Sequence, residues 1–107
     1  MMSQFDVYRN PSAKSNKFWP YYLVIQHDYF ENLSTRLIVP LTSTGEMELT
    51  RKRITPVVDI NGNKYYVFTP AITFLDANKI KKKDFICNVV ISRGEILSAI
   101  DAIITNA

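Results

Sequence analysis

The sequence predicts a mainly β protein, a small barrel of antiparallel strands with one C-terminal α-helix. Three observations carry this. Short runs rich in aromatic and β-branched residues recur from Phe5 to Leu75, separated by polar or Pro-containing stretches. Asn61-Gly62 stands between two such runs, and this pair is the strongest local hairpin signal because both residues accept positive φ. Apolar residues recur at spacings of three and four only near the C-terminus, so strands and helices do not alternate as a parallel sheet requires.

The strands follow in order. Phe5-Asp6-Val7-Tyr8 alternates apolar and polar, as a half-buried strand does. Asn10 to Lys17 is a polar loop with one Pro and two Ser. Trp19 to Gln26 is aromatic and β-branched, with Pro20 at its start, where a missing N–H is tolerated. Asp28 to Ser34 connects to a third strand, Thr35 to Leu41. Thr42 to Arg53 mixes Thr, Ser, Gly and charges and reads as a loop. Thr55 to Ile60 and Lys64 to Phe68 form the hairpin arms, and Ala71 to Leu75 gives another short strand. Lys79 and Lys81 to Lys83 crowd the next segment and read as a solvated face or edge protection.

The last element is the helix, expected from Ser92 to Thr105. Ser92-Arg93-Gly94-Glu95 fits a capping box, in which the Ser oxygen and the Glu carboxylate each take a free N–H of the first turn. Ile96, Leu97, Ala99, Ile100, Ile103 and Ile104 then give an amphipathic face. Leu97, Ile100, Ile103 and Ile104 spread around more than one side. One barrel covers only part of that surface, so these residues are the candidate dimer interface.

Composition narrows the function. A chain of 107 residues fits one domain, expected over 1–107. Apolar residues at 47% and charged residues at 21% suit an ordinary globular protein. A net charge of +3 is too mild to argue for nucleic-acid binding. The single Cys87 rules out an internal disulfide and sits in an apolar stretch, so it reads as a small buried side chain. No apolar run approaches a membrane span, and the N-terminus lacks the basic-then-apolar pattern of a signal peptide, so a cytoplasmic protein is expected.

No phosphate-binding glycine loop, zinc-protease motif or cysteine pair is present, so no catalytic residue, metal or cofactor is assigned. His27 with Asp28, Arg36 and Arg53 could supply the base, acid and cation of a metal-independent ribonuclease. A lone His after a strand reads more simply as a polar residue at the strand's end.

Several fragments in order resemble the CcdB family of toxins. Gln4-Phe5-Asp6-Val7-Tyr8 is similar to that family's opening Gln-Phe-x-x-Tyr strand. Val24-Ile25-Gln26-His27-Asp28 is similar to its Asp-Val-Gln-Ser-Asp, and Arg36-Leu37-Ile38-Val39-Pro40-Leu41 to its Arg-(Leu/Met)-Val-Ile-Pro-Leu strand. Pro56 to Ile60 resembles Pro-x-(Val/Ile)-His-Ile, and Ala99-Ile100-Asp101 the Ala-Ile-(Asn/Asp) of the terminal helix. The resemblance implies an SH3-like barrel and a homodimer. It also implies a toxin without cofactor that poisons DNA gyrase by binding its DNA-cleaving subunit. A CcdA-like antitoxin would neutralise it.

By the same resemblance, Tyr29, Phe30, Asp101, Ile104, Thr105, Asn106 and Ala107 are the candidate gyrase-binding residues. The chain departs from the family where Asn106-Ala107 replaces a terminal Gly-Ile, so a weaker poison is expected. His27 and Asp59 also stand where the family has Ser and His. The basic residues Arg51, Lys52, Arg53, Lys81, Lys82 and Lys83 are candidates for contact with an acidic antitoxin segment. The related barrel of MazF/Kid endoribonucleases and a non-toxic chromosomal relative that only binds antitoxin are the alternatives.

Overall fold

A computed structural model describes residues 2–43 and 54–105. The strands are β1 (Asp6–Arg9), β2 (Tyr21–Val24), β3 (Thr35–Thr42), β4 (Val57–Ile60), β5 (Asn63–Val67), β6 (Thr73–Asp76) and β7 (Phe85–Asn88). Helix α1 (Arg93–Thr105) follows them. All pairings are antiparallel, in the order β4-β5-β3-β2-β1-β7, and the sheet curls into a nearly closed barrel. Among the described residues no helix is long and apolar enough to cross a membrane.

β3 organises this sheet. It pairs with β2 along Ile38–Leu41 on one edge, and its other edge is shared by β6 at Thr35–Ile38 and β5 at Leu41–Thr42. Pro40 is buried in this central strand, an unusual place for a residue without an N–H. On the shared edge it falls between the two stretches of pairing. Its carbonyl still accepts from the Phe68 N–H at 3.0 Å.

The hairpin forms as the sequence requires. Ile60 pairs with Asn63, leaving Asn61 (φ 52°) and Gly62 (φ 85°) as a two-residue turn with both φ positive. The core gathers Phe5, Leu23, Val39, Leu41, Val58, Ile60 and Val67 inside the barrel, and Ile96 of α1 seals it. Ile96 and Ala99 are fully buried, while Leu97 and Ile100 are partly buried against the same cluster.

Several local expectations need correction. The first strand begins at Asp6, because Phe5 takes a φ of 72° that turns its ring into the core. Asp6 is not on a solvent face: it is buried, and the alternation misleads because its carboxylate is fully used inside. The helix begins at Arg93, one residue later than expected, after a 3₁₀ turn over Val90–Ser92. That turn is opened by Asn88, whose Oδ1 accepts from the Val90 N–H at 2.9 Å. Ser92 therefore lies inside helical backbone rather than in the extended position a cap needs. Cys87 is half-buried in β7 rather than enclosed. Arg51, Lys52, Arg53, Asn106 and Ala107, with most of the Thr42 to Arg53 loop, lie outside the described residues.

Candidate protein-binding surface

The connection between β2 and β3 carries a highly exposed aromatic pair. Residues Asp28–Phe30 form one 3₁₀ turn, capped by His27, whose Nδ1 accepts from the Tyr29 N–H at 3.0 Å. Tyr29 is 79% exposed and Phe30 50%, with their rings edge to face and centroids 5.1 Å apart. The turn thus holds two large ring surfaces side by side in solvent, the kind of anchor that concentrates binding energy when a partner covers it.

The turn is held from beneath. Arg36 on β3 is buried, and its guanidinium donates to the carbonyls of Glu31, Leu33 and Thr35. Gln26 donates to the Phe30 carbonyl at 2.8 Å and accepts from the Leu37 N–H at 3.1 Å. Asp28 Oδ1 accepts from the Gln4 N–H at 2.7 Å, tying the turn to the N-terminal segment. These bonds engage His27 Nδ1, Asp28 Oδ1 and the Arg36 guanidinium with backbone groups of the turn and its neighbours. Arg36 is buried and faces these carbonyls.

The same network reaches α1. The Asn88 side chain donates to the Gln4 carbonyl at 3.1 Å and to Asp6 Oδ1 at 2.9 Å, and Val90 and Ile91 follow it with exposures of 56% and 95%. Gln4 therefore bridges the Tyr29–Phe30 turn to the residues that lead into the helix. Sequence reasoning missed Val90 and Ile91. Their only signal was an apolar pair just ahead of the amphipathic face, out of phase with its period.

The other expected anchors lie at the far end of α1. Asp101, Ile104 and Thr105 are exposed, with Ile104 at 72%. Ile104 stands eleven residues beyond Arg93, about 16 Å along the helix axis. Within one chain the hydrogen-bond bridge joins Tyr29 and Phe30 to the start of α1 and not to its end. Of the four helix residues expected at a dimer contact, Ile103 and Ile104 carry the exposed apolar surface, and Leu97 and Ile100 turn to the core.

The lysine segment is split between two faces. Residues Ala77–Lys79 and Lys82–Asp84 make two 3₁₀ turns. Lys82 joins Met2, Asp6, Tyr8, Ile80 and Phe85 around a cleft of about 430 Å³. Lys79, Lys81 and Lys83 line another of about 400 Å³ with Pro11, Ser12, Asn78 and Asp84. In the first cleft, burial and the Asp6 carboxylate, which accepts from its hydroxyl, push Tyr8 up to about 12. Burial, then Asp6, also raises the Cys87 thiol, which keeps it protonated and a poor nucleophile near neutrality.

The protein is thus a nearly closed antiparallel barrel with a terminal helix, with exposed apolar side chains on a hydrogen-bonded frame. The family model described as CcdB protein matches residues 4–106. That covers nearly the whole chain, and the protein belongs to the CcdB family, the toxins of toxin–antitoxin systems. No curated protein matched the sequence.

Proposed function

We propose that this protein poisons DNA gyrase: a homodimer binds the DNA-cleaving subunit when the enzyme has cut its DNA and traps that state. A CcdA-like antitoxin reverses it. The family match over residues 4–106 carries the reading. The pinned display of Tyr29 and Phe30 supports it, because anchors held in place before binding lose little entropy on contact. Asp101, Ile104, Thr105, Asn106 and Ala107 complete the proposed target surface, and Ile103 and Ile104, with the flanks of Leu97 and Ile100, the dimer contact. Arg51, Lys52, Arg53, Lys81, Lys82 and Lys83 are proposed to attract an acidic antitoxin segment. The protein would act in the cytoplasm, where its target lies.

The test is a purified-component assay. Gyrase, supercoiled plasmid and ATP are incubated with the protein, and linear DNA is measured after detergent and protease treatment. Gyrase-dependent linear DNA is the expected result. RNA cleavage without linearisation would favour the MazF/Kid-like alternative. Neither activity, with antitoxin binding retained, would identify a non-toxic relative.

A further inference from the structure

We infer that the cleft lined by Met2, Asp6, Tyr8, Ile80, Lys82 and Phe85 binds a small primary ammonium ion with an apolar body. The inference does not rest on the proposed gyrase contact, since neither Tyr29, Phe30 nor any residue of α1 lines this cleft.

The polar part of the wall is already built. Asp6 is buried, and its Oδ2 accepts from the Ser3 N–H at 2.9 Å and from the Tyr8 hydroxyl at 3.2 Å. Its Oδ1 accepts from Asn88 Nδ2 at 2.9 Å. These three donors fix the carboxylate, and all three are neutral. Among the described residues no cation lies within ion-pair distance of Asp6. Desolvation penalises a lone buried charge, so a buried carboxylate is ordinarily paired with a cation. A carboxylate offers about four lone-pair sites, which leaves Oδ1 room for a further donor. Burial, then Asp6, pushes the Tyr8 hydroxyl up to about 12. It therefore stays protonated near neutrality, and no second anion forms beside Asp6.

The rest of the wall suits an organic cation. The Tyr8 and Phe85 rings meet edge to face with centroids 5.7 Å apart, and aromatic faces attract a cation. Met2 and Ile80 give apolar surface for the body that carries the charge. The volume of about 430 Å³ falls in the range of small-molecule sites, about 300–1,000 Å³.

Lys82 is the one cation among the described lining residues, and it favours an anion where Asp6 favours a cation. Burial decides between them. Asp6 is 6% exposed, whereas Lys82 is exposed and its long side chain can turn to solvent. The field of Asp6 is the less screened of the two.

The test titrates the intact, isotope-labelled protein with phenethylammonium and follows its amide chemical shifts. Saturable shifts at Asp6, Tyr8, Ile80 and Phe85 are expected. Phenethyl alcohol, the neutral counterpart, and hydrocinnamate, the anion, should each bind at least about tenfold more weakly. N-acetyl-lysine amide offers the same ammonium as a partner protein would, without the aromatic body, and should also be about tenfold weaker. Lys82→Met should tighten phenethylammonium by about threefold, while Lys14→Met removes the same charge elsewhere and should stay within about 1.5-fold. Asp6→Asn should abolish saturation. Thermal melts verify its folding, and if it unfolds the two lysine variants carry the test. No saturable shift in the parent, an equal response to the alcohol, preference for the anion or the lysine amide, or weaker binding in Lys82→Met each overturn the inference. Neither gyrase nor antitoxin enters this measurement, so its outcome is separate from that of the linearisation assay.

Discussion

The Tyr29–Phe30 turn and the last turn of α1 both expose apolar side chains, yet they are built on opposite principles. The turn is short and irregular, and the chain compensates with a buried Arg36, a bridging Gln26, a capping His27 and a reach to Gln4. The helix end is regular. Its exposed Ile104 is carried by backbone hydrogen bonding, with Thr105 Oγ1 donating back to the Asp101 carbonyl at 2.7 Å. A surface with no periodic backbone bonding must be fixed by side chains drawn from other elements. A helix brings its own scaffold, so it can present anchors at the chain's end with little tertiary support.

The largest expected effect tests where the helix stops being core. Ile100→Asp places a charge against the barrel cluster and should cost about 4 kcal/mol, enough to unfold much of the protein in a urea titration. Ile104→Asp, on the exposed side, should leave the urea midpoint nearly unchanged but shift mass in sedimentation from dimer to monomer. A wild-type protein that is monomeric in dilute solution would remove the dimer from this account.

Next comes the frame of the turn. Arg36→Met keeps much of the apolar stem but leaves the carbonyls of Glu31, Leu33 and Thr35 without their donor. We expect a loss of about 3 kcal/mol in stability. A loss under about 1 kcal/mol would show that water replaces the guanidinium and that the turn is not held as described.

A smaller effect is expected on binding alone. Tyr29→Ala with Phe30→Ala should weaken gyrase binding by about 2 kcal/mol while stability moves by no more than about 0.5 kcal/mol. Equal losses in both would make the pair a core anchor.

The smallest effect belongs to the terminus. Asn106→Gly with Ala107→Ile restores apolar area and should strengthen gyrase-dependent cleavage by about 1–2 kcal/mol. A double variant no more active than its parent would show that the terminus does not limit poisoning.

Much of this architecture was determined by the sequence alone, because the signals were local. Asn61-Gly62 specified the hairpin through its tolerance of positive φ, and the three-and-four spacing from Ile96 to Ile104 specified the helix to within a residue. The β-branched runs placed β1 to β6, and the ordered fragments from Gln4 to Asp101 pointed to the family that the match over 4–106 shows. Tertiary structure alone decided the fate of the polar residues. Asp6 looked like the solvent side of a strand, but partners from Ser3, Tyr8 and Asn88 meet its carboxylate inside. Arg36 looked like a free cation, but the fold turns it onto the carbonyls of the neighbouring loop. Lys81, Lys82 and Lys83 looked like one patch until their backbone turn sent Lys82 to a different cleft. Apolar periodicity is visible in the sequence because burial repeats with the backbone. Polar partnering has no such period: Asn88 reaches Asp6 only because the barrel brings β7 beside β1, and the carbonyls under Arg36 are near in sequence but are gathered only by the turn of the loop before β3.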